Sequence, residues 1–413
     1  MTAIGGRRPE FTRNSIIVWL SVMGGMSVGP TPMISATVGM FMTPVADSFD
    51  LSRTAISAVM LISPIVVAMF SPTGGRLLDR YGVRRVLLPA VILFGLSNLS
   101  AMFIEDLWHY MLMQVVLSLA ACIHCYSSYT KVLAMWFSRN RGIATGIAIA
   151  GGSALGSAVV PQLVQPWIAN HGWHYAYGGI GLIVLLWGFP ILFFMMREPR
   201  PEERPAAATE GDEHTLIGIT AAEALRQRAF WILAVAIFLA PFTIVGTVAH
   251  MFPMLTERGL SGASAATALS LLYVGGMAGQ LSSGYLLDRF DTPKVGMLFF
   301  AATTIGVVIL HVLGAPAWVQ VGAIFIGLGQ GSELTICAYL TTRYFGLKHY
   351  GAIYGRFYAS ANLGIATGIM TMGIVHDMTG SYDLMGRIFP VAIGLVFVLF
   401  FFLPPYRYPR VAN

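Results

Sequence analysis

Residues 75–85 read Gly-Arg-Leu-Leu-Asp-Arg-Tyr-Gly-Val-Arg-Arg, and residues 284–289 read Gly-Tyr-Leu-Leu-Asp-Arg. The second stretch repeats the first 209 positions later, so that Gly284 matches Gly75 and Asp288 matches Asp79. A second pair of segments has the same offset: Gly-Ile-Ala-Thr-Gly at 142–146 and Gly-Ala-Ile-Tyr-Gly at 351–355. Four matched positions with one offset indicate that the chain consists of two equivalent halves.

The composition places these halves in a membrane. Apolar residues make up 56% of the 413 residues and charged residues only 11%, whereas a soluble domain carries about 25% charged residues. So few charges cannot cover a water-exposed surface, and most of the outer surface must therefore face lipid. Twelve apolar segments of spanning length, here called spans one to twelve, lie near 15–43, 53–75, 86–104, 107–137, 142–168, 175–196, 229–256, 264–287, 294–313, 316–345, 351–376 and 386–404.

The longest hydrophilic stretch, 197–228, follows span six and is rich in Glu, Arg and Pro. It predicts a cytoplasmic linker between an N-terminal six-helix bundle, 1–196, and a C-terminal six-helix bundle, 229–413. With the N-terminus inside, the cytoplasmic segments hold 21 of the 25 Lys and Arg residues, a strong positive-inside signal. We therefore expect an all-α membrane protein with twelve transmembrane helices in two pseudo-symmetric bundles (6+6) and both termini in the cytoplasm.

The sequence argues against several other classes of protein. The net charge of +6 follows from this topology, and the chain has no nucleic-acid recognition motif. It also has no serine-nucleophile, zinc-protease or phosphate-loop motif, so we do not expect an enzyme; the glycine-rich segment 327–331 predicts helix packing instead.

Cys122 and Cys125 lie in an apolar run and indicate buried thiols rather than a metal site, and we expect no cofactor. The apolar stretch after Arg13 is too long for a signal peptide and is expected to remain as span one.

The stretch at 75–85 is similar to the signature loop of the major facilitator superfamily, Gly-x-x-x-Asp-Arg-x-Gly-x-Arg-Arg. Four further segments resemble the bacterial monocarboxylate-transporter-like and oxalate:formate antiporter group: Trp-Phe-Ser-Arg-Asn-Arg-Gly at 136–142, Gly-Trp at 172–173, Phe-Gly-Leu-Lys-His-Tyr-Gly at 345–351 and Asp-Met-Thr-Gly-Ser-Tyr at 377–382. The resemblance implies a secondary transporter, which we expect to function as a monomer in the bacterial cytoplasmic membrane. It also implies that the substrate is a small organic anion, in particular a carboxylate, which crosses the bilayer by alternating access in symport with protons.

One departure from that group leaves a second hypothesis open. Members commonly carry an intramembrane Arg in span eight or a Lys in span eleven, where this chain has Gln280 and Ala361 or Asn362. The alternative is efflux of a hydrophobic or cationic compound by proton antiport.

The repeated loops predict a gate on the cytoplasmic side. Glycine lets helices approach closely, and Asp79 and Asp288 are placed to meet the positive N-terminal ends of spans eleven and five. We expect the gate contacts to break when that side opens, and to involve Gly75, Asp79, Arg80, Gly82, Arg84, Arg85, Arg141, Gly284, Asp288 and Arg289.

Ionisable groups inside a span are costly and usually functional. Glu333 lies in the middle of span ten, with Gln330 one turn before it and Cys337 one turn after it, and the 209-residue offset relates it to His124. An isolated carboxyl group in a low-dielectric interior takes up and releases a proton near neutral pH, as a proton carrier must. The sequence therefore predicts Glu333 as the proton-coupling residue; the alternative is a structural carboxyl group that holds helices together.

Polar residues at helical spacing predict the substrate site. His124, Ser128 and Lys131 follow i, i+4, i+7 spacing on span four, where Lys131 would attract an anion or, alternatively, snorkel to the interface. In the superfamily arrangement spans one, four, seven and ten line the cavity, so Lys131 is placed to face Glu333. Ordinary interhelical hydrogen bonding is the alternative for the other candidates on spans seven, eight and eleven, which are Thr247, His250, Tyr273, Gln280, Tyr358 and Asn362.

Two further expectations concern helix geometry. His311 lies close to the end of span nine and is expected only to reach the interface. Span one carries no charge between Arg13 and Asp47 but contains glycine and proline between Gly24 and Pro32. Such a helix is predicted to break, as cavity-lining helices of transporters do.

Overall fold

The computed structural model of the protein describes residues 11–137, 144–200, 203, 218–290, 292–313, 316–346 and 348–408. Within these ranges the chain is helical, and the only extended pairing is a single bridge between Gly218 and Gly346. Ten helices there are long and apolar enough to cross a membrane. The two other spans are Gly262–Arg289, which is 28 residues long but rich in glycine and serine, and the shorter apolar helix Met385–Phe401. The prediction of twelve spans is therefore confirmed.

The described part of the first half contains ten α-helices, several of which are consecutive parts of one span. They are α1 (Arg13–Ser27), α2 (Val38–Ser48), α3 (Arg53–Met60), α4 (Ile62–Tyr81), α5 (Val83–Ser100), α6 (Leu107–Ala121), α7 (Tyr126–Trp136), α8 (Gly152–His171), α9 (Trp173–Ile183) and α10 (Phe189–Met195). The described part of the second half contains seven α-helices, of which the first is short and the others are long. They are α11 (Ala221–Leu225), α12 (Arg228–Glu257), α13 (Gly262–Arg289), α14 (Val295–Val308), α15 (Val319–Phe345), α16 (Tyr350–Thr379) and α17 (Met385–Phe401).

Span one is interrupted, as its glycine and proline content predicts. Helix α1 ends at Ser27, a π-helical turn occupies Thr31–Ser35, and α2 begins only at Val38. Proline lacks the N–H group that an α-helix needs in its interior, so Pro30 and Pro32 disrupt the hydrogen-bond ladder at this point.

Span four is also interrupted, which the sequence did not predict. Helix α6 ends at Ala121 and α7 begins at Tyr126, so His124 lies in the turn between them. The Ser128 hydroxyl donates a hydrogen bond to the backbone oxygen of Ile123 at 2.5 Å, and such side-chain bonds compete with the helical ladder. The prediction that His124, Ser128 and Lys131 form one uninterrupted helical stripe is therefore wrong, because only the last two lie on α7.

The internal repeat extends beyond the motifs that reveal it. Helix α7 ends at Trp136 and helix α15 ends at Phe345, again 209 residues apart. The two copies differ in continuity, since span four is broken near its centre whereas α15 runs unbroken for 27 residues. The halves therefore share an architecture without sharing every local conformation.

By their backbone contacts the residues group into two compact units. The first unit comprises Met1–Ile34, Ile65–Gly156 and His174–Glu213, and the second comprises Ser35–Pro64, Ser157–Trp173 and His214–Asn413. The second unit therefore contains the predicted outer ends of spans one, two and five together with the C-terminal half. The bundle boundaries expected at residues 196 and 229 stay a prediction.

Glycines set the closest helix packing in the second unit. Helices α13 and α15 lie against each other with so little space that a Cβ atom added to Gly327 would meet the carbonyl oxygen of Leu272. A Cβ atom on Gly331 would meet the carbonyl of Gly276 in the same way. The segment 327–331 is thus a packing motif, as predicted, because small residues allow membrane helices to approach closely.

Candidate functional site

Three charged side chains and a histidine of the second unit meet where α3 begins. Arg53 Nη2 lies 2.8 Å from Glu257 Oε1, and Glu257 Oε2 lies 3.1 Å from His376 Nε2. The Asp377 carboxylate accepts hydrogen bonds from the backbone N–H groups of Arg53 and Thr54 at 2.9 and 2.7 Å. A carboxylate is stabilised there by the unpaired N–H groups and by the dipole of the helix. Arg53, Glu257, His376 and Asp377 are called the outer cluster below.

Glycines bring the helices that carry the outer cluster together. A Cβ atom on Gly373 of α16 would lie 2.6 Å from Ser57 Oγ and 2.8 Å from the Arg53 backbone oxygen. A Cβ atom on Gly39 of α2 would lie 2.6 Å from the Ala249 oxygen of α12. The outer ends of spans one and two therefore pack directly on spans seven and eleven.

A buried polar chain leads inward from the outer cluster. The rings of His376 and Tyr382 lie 4.6 Å apart, and the Tyr382 hydroxyl lies 3.2 Å from Nδ1 of His250. His250 Nε2 lies 3.1 Å from the Ile369 backbone oxygen and 3.4 Å from Ser57 Oγ. His250, predicted as a substrate ligand, is fully buried and is thus one member of this chain.

One turn from His250 on α12, Thr247 joins a second buried histidine. Thr247 Oγ1 lies 3.0 Å from His311 Nε2, and His311 is only 4% exposed. The expectation that His311 only reaches the interface is wrong, because the threonine hydroxyl supplies a polar partner inside the bundle. Arg258 also contacts the segment that contains His311, because its guanidinium donates hydrogen bonds to the backbone oxygens of Leu310 and His311.

Sequence reasoning passed over the outer cluster although two signals pointed to it. Arg53 is one of only three Lys or Arg residues in the predicted outer loops, and two of those three form ion pairs, Arg53 with Glu257 and Arg258 with Asp383. Asp377 belongs to a segment that carries the family resemblance. A cation that violates the positive-inside distribution is a candidate for a specific partner.

Glu333 lies inside the second unit on α15 and is 8% exposed. Its carboxyl group has no hydrogen bond or ion pair among the described residues. It borders a cavity of about 10 Å³ whose other walls come from spans seven, nine, ten and twelve, including Leu233, Ile237, Phe300, Cys337, Leu340 and Phe400. An ionised carboxylate in such surroundings carries a large desolvation cost, a property expected of a group that binds a proton.

The candidates on span four lie in the first unit. His124 is fully buried; its Nε2 lies 3.2 Å from the Gly25 backbone oxygen, and its ring meets that of Phe94 edge-on at 5.4 Å. Lys131 Nζ donates to the backbone oxygen of Leu78, 3.0 Å away near the cytoplasmic end of α4. A cation there satisfies a carbonyl that the end of a helix leaves unpaired. Lys131 thus ties α7 to α4, and its role in substrate binding stays a prediction.

The remaining substrate candidates are spread over two helices of the second unit. On α13, Tyr273 is buried and Gln280 is half-buried. On α16, Tyr358 is 50% exposed, and the Asn362 amide donates a hydrogen bond to the Tyr358 backbone oxygen. Their roles in substrate binding stay predictions.

The repeated loop of the first unit is anchored to the end of span six. Gly82 adopts a φ of 84°, which favours glycine, and it precedes the first residue of α5. The Val83 N–H group donates to Glu198 Oε1 at 2.9 Å, and the Arg84 guanidinium donates to the Phe193 backbone oxygen at 2.6 Å. These contacts fix the entry of α5 within the first unit.

For several other predicted gate residues, the structure describes fewer contacts than it does for Arg84. The Arg80 guanidinium lies 5.3 Å from the ring centre of Tyr81, and a Cβ atom on Gly75 would meet nothing within 4 Å. Half-buried or exposed positions on α4, α5 and α13 are occupied by Gly75, Arg80, Arg85, Gly284, Asp288 and Arg289. Arg141 and the side chain of Asp79 lie outside the described residues, and the cytoplasmic gate stays a prediction.

Two repeated six-span halves define a secondary transporter of the 6+6 type. The profile of the Major Facilitator Superfamily matches residues 25–368 and 284–413, and the chain belongs to this superfamily. Monocarboxylate transporter 11 of Homo sapiens is 25% identical over 374 residues, which cover 87% of this chain and 76% of that protein. A gallate transporter of Pseudomonas putida is 26% identical over 385 residues, which cover 81% of this chain and 83% of that protein.

A solved structure shows the same fold. The crystal structure of a D-xylose-proton symporter matches with a TM-score of 0.71 at 16% identity and covers 95% of this chain and 98% of that chain. As a member of the superfamily, the protein is a multi-pass membrane transporter, and the relatives named above are transporters rather than enzymes.

Proposed function

We propose that the protein is a proton-coupled symporter that carries a small organic anion, a carboxylate, across the bacterial cytoplasmic membrane by alternating access. Proton coupling rests on one observation, the buried Glu333 carboxyl group with no partner among the described residues. The names of the two relatives support the substrate class, because monocarboxylates and gallate all carry a carboxylate group.

Glu333 couples protonation to conformation through its desolvation cost. The neutral acid is tolerated among Ile237, Phe300 and the other apolar walls of its cavity. Loss of the proton leaves an unpaired charge there, which favours any conformation that admits water or a cation to the carboxylate. Binding a proton therefore biases the transporter toward the packing seen in this structure.

The outer cluster acts as the outer gate in this proposal. Arg53 belongs to the first half of the chain and Glu257, His376 and Asp377 to the second, so their contacts must break before the outer side opens. A partly exposed ion pair contributes about 0.2–1 kcal/mol, and a helix cap about 0.5–2 kcal/mol. A gate held by a few such contacts opens reversibly on the timescale of transport. The moving bodies are the predicted bundles 1–196 and 229–413, joined by the linker.

Lys131 supplies the positive charge for the substrate. Its ammonium group is half-buried and donates to a neutral backbone oxygen, that of Leu78. A substrate carboxylate forms a stronger, charge-assisted bond with the same group. We infer that a substrate anion adds such a bond to the contacts that Lys131 already makes.

Reconstituted proteoliposomes test the coupling with gallate and pyruvate as probes. Glu333→Gln should abolish accumulation driven by a proton gradient while sparing exchange of the substrate across the membrane. Cys337→Ser, one turn away on the same helix and bordering the same cavity, serves as the control and should retain accumulation. Unchanged accumulation by Glu333→Gln would remove Glu333 from the mechanism.

Lys131→Ala distinguishes anion symport from the alternative of antiport efflux. Anion symport predicts that this variant takes up gallate and pyruvate much more slowly. If the variant instead retains transport and the protein exports a hydrophobic cation such as ethidium, the protein is an antiporter. Antiport efflux is tested as the second function because this chain has Gln280 at a position where the related group commonly carries an Arg.

A further inference from the structure

The first unit contains a cavity that is separate from Glu333 and from the outer cluster. It has a volume of about 580 Å³ and lies between α4, α5 and α6. Its walls are almost entirely apolar, and several of its side chains face outward. Among them, Phe70, Leu77 and Leu93 are 43%, 37% and 42% exposed. In a membrane-spanning bundle such exposed apolar walls face the hydrocarbon of the bilayer.

One end of this cavity is polar and positively charged. Tyr81 and Arg85 line it at the end of α4 and the start of α5, which is the cytoplasmic side by the distribution of Lys and Arg. Arg85 is exposed, and its guanidinium has no hydrogen bond or ion pair among the described residues. By contrast, the guanidinium of the adjacent Arg84 is engaged by Phe193. The cavity therefore combines an apolar trough with one available cation at its cytoplasmic mouth.

The length of the trough matches one leaflet of a bilayer. Arg85 and Leu93 both line it and are eight residues apart on α5, a distance of about 12 Å along a helix. The hydrocarbon core of a membrane is about 30 Å thick, so that one leaflet spans about 15 Å. A lipid whose head lies at Arg85 would place its acyl chain along Val86, Pro89 and Leu93 without crossing the bilayer midplane.

We propose that this cavity, called the lipid cleft here, is a binding site for an anionic phospholipid of the cytoplasmic leaflet. The Arg85 guanidinium pairs with the lipid phosphate, since arginine matches the geometry of phosphate oxygens. The Tyr81 ring lies at the interface, where aromatic side chains are favoured. The acyl chain fills the trough between α4 and α5. The cytoplasmic leaflet is the one that attracts positively charged segments through its anionic lipids.

Charge complementarity selects this occupant over a zwitterionic lipid. Phosphatidylcholine presents a quaternary ammonium group beside its phosphate, and Arg80, Arg84 and Arg85 all stand at the same end of the first unit. Phosphatidylglycerol has the phosphate without the cation. The cleft is therefore expected to prefer phosphatidylglycerol.

Native mass spectrometry of the purified full-length protein with added phosphatidylglycerol or phosphatidylcholine tests the proposal. The wild-type protein should retain phosphatidylglycerol at least several-fold better than phosphatidylcholine. Arg85→Gln should remove that preference, and Leu77→Trp, which fills the trough from an exposed wall, should weaken binding of both lipids. Arg226→Gln makes the same charge change at an exposed cytoplasmic position and should bind as the wild type does.

Two results would overturn the lipid cleft. The first is equal retention of the two lipids by the wild-type protein, which would show that no anionic headgroup is recognised. The second is unchanged phosphatidylglycerol binding by Arg85→Gln, which would place any lipid site elsewhere. Circular dichroism and the melting temperature of each variant identify one that is misfolded; if Leu77→Trp is misfolded, Leu77→Phe takes its place.

Discussion

The guanidinium of Arg53 and the carboxylate of Glu257 are 204 residues apart in the sequence, yet Nη2 and Oε1 lie 2.8 Å apart. Arg53 begins a helix of the first half and Glu257 ends a helix of the second. Their side chains are 14% and 36% exposed, so the contact is partly shielded from water but still accessible to it. The pair thus joins the outer ends of two different spans through a bond that water can replace.

We predict that Arg53→Gln makes the outer side of the transporter open more often. Loss of the ion pair removes about 0.2–1 kcal/mol, which corresponds to an increase of up to about five-fold in the open population. The measurement is the labelling rate of Ser57→Cys by a membrane-impermeant maleimide in a variant whose native cysteines are replaced by serine. Arg387→Gln is the control for the loss of a positive charge, because Arg387 is also an outer arginine, is exposed and has no ion pair among the described residues. Equal labelling rates for the two variants would refute the gate.

Glu333→Met is predicted to stabilise the protein while it abolishes proton-driven accumulation. A buried carboxyl group without a partner is costly, and an apolar side chain of similar size removes that cost, about 1–3 kcal/mol. The melting temperature in detergent should therefore rise by a few degrees. A structural carboxyl group that holds helices together gives the opposite sign, so a lower melting temperature would assign Glu333 to that role.

Gly331→Ala is predicted to destabilise the second unit. The added Cβ atom would meet the backbone carbonyl of Gly276, which cannot move without shifting α13. Overpacking of this kind costs about 1–3 kcal/mol. Gly394→Ala is the control, since a Cβ atom there meets nothing within 4 Å. The melting temperature should fall for the first variant only, and equal values would contradict the close approach of α13 and α15.

The contribution of Glu203 to stability is predicted to depend on pH. Hydrogen bonds from Arg197, each 2.6 Å long, together with those from the Arg200 N–H group and Asn14, lower the pKa of the Glu203 carboxyl to about 2. Because this pKa is lower in the folded protein, the stabilisation is present above the ordinary value of 4.5 and is lost as the pH falls towards 2.

The measurement is the melting temperature of Glu203→Gln and of the wild type between pH 7 and pH 3. The difference between the two proteins should be largest at pH 7 and should shrink below about pH 4.5. Glu105→Gln, a change at an exposed carboxyl group, should show a difference that stays small throughout. A difference for Glu203→Gln that is independent of pH would mean that the ion pair does not stabilise the start of the linker.

Features that depend on local composition were predictable from the sequence. Spans are determined by local composition, so the twelve apolar segments and the break at Pro30 and Pro32 follow from the order of the residues alone. The packing role of Gly327 and Gly331 was also predictable, since glycines within an apolar helix have few other uses. The break at His124 was not, because neither glycine nor proline marks it, and it depends on where the Ser128 hydroxyl donates its hydrogen bond.

Side-chain partners were the least predictable part of the site. His311 was expected at the interface and is instead buried against Thr247, because the distance of a residue from the end of a helix does not reveal what the neighbouring helix offers. The outer cluster was missed for the same reason: the sequence does not show which side chains Arg53 and Asp377 contact. Only the tertiary structure shows that they lie together.

By itself, the sequence determined the class of protein, the number of spans, the orientation in the membrane and the internal repeat. These properties follow from the hydrophobicity and charge of single segments, which each segment carries regardless of its neighbours. The tertiary structure decided which polar residues meet: Arg53 with Glu257, His250 with Tyr382, and Glu333 with no partner among the described residues. Such pairings depend on how helices from distant parts of the chain pack, and packing is a property of the folded chain rather than of any segment.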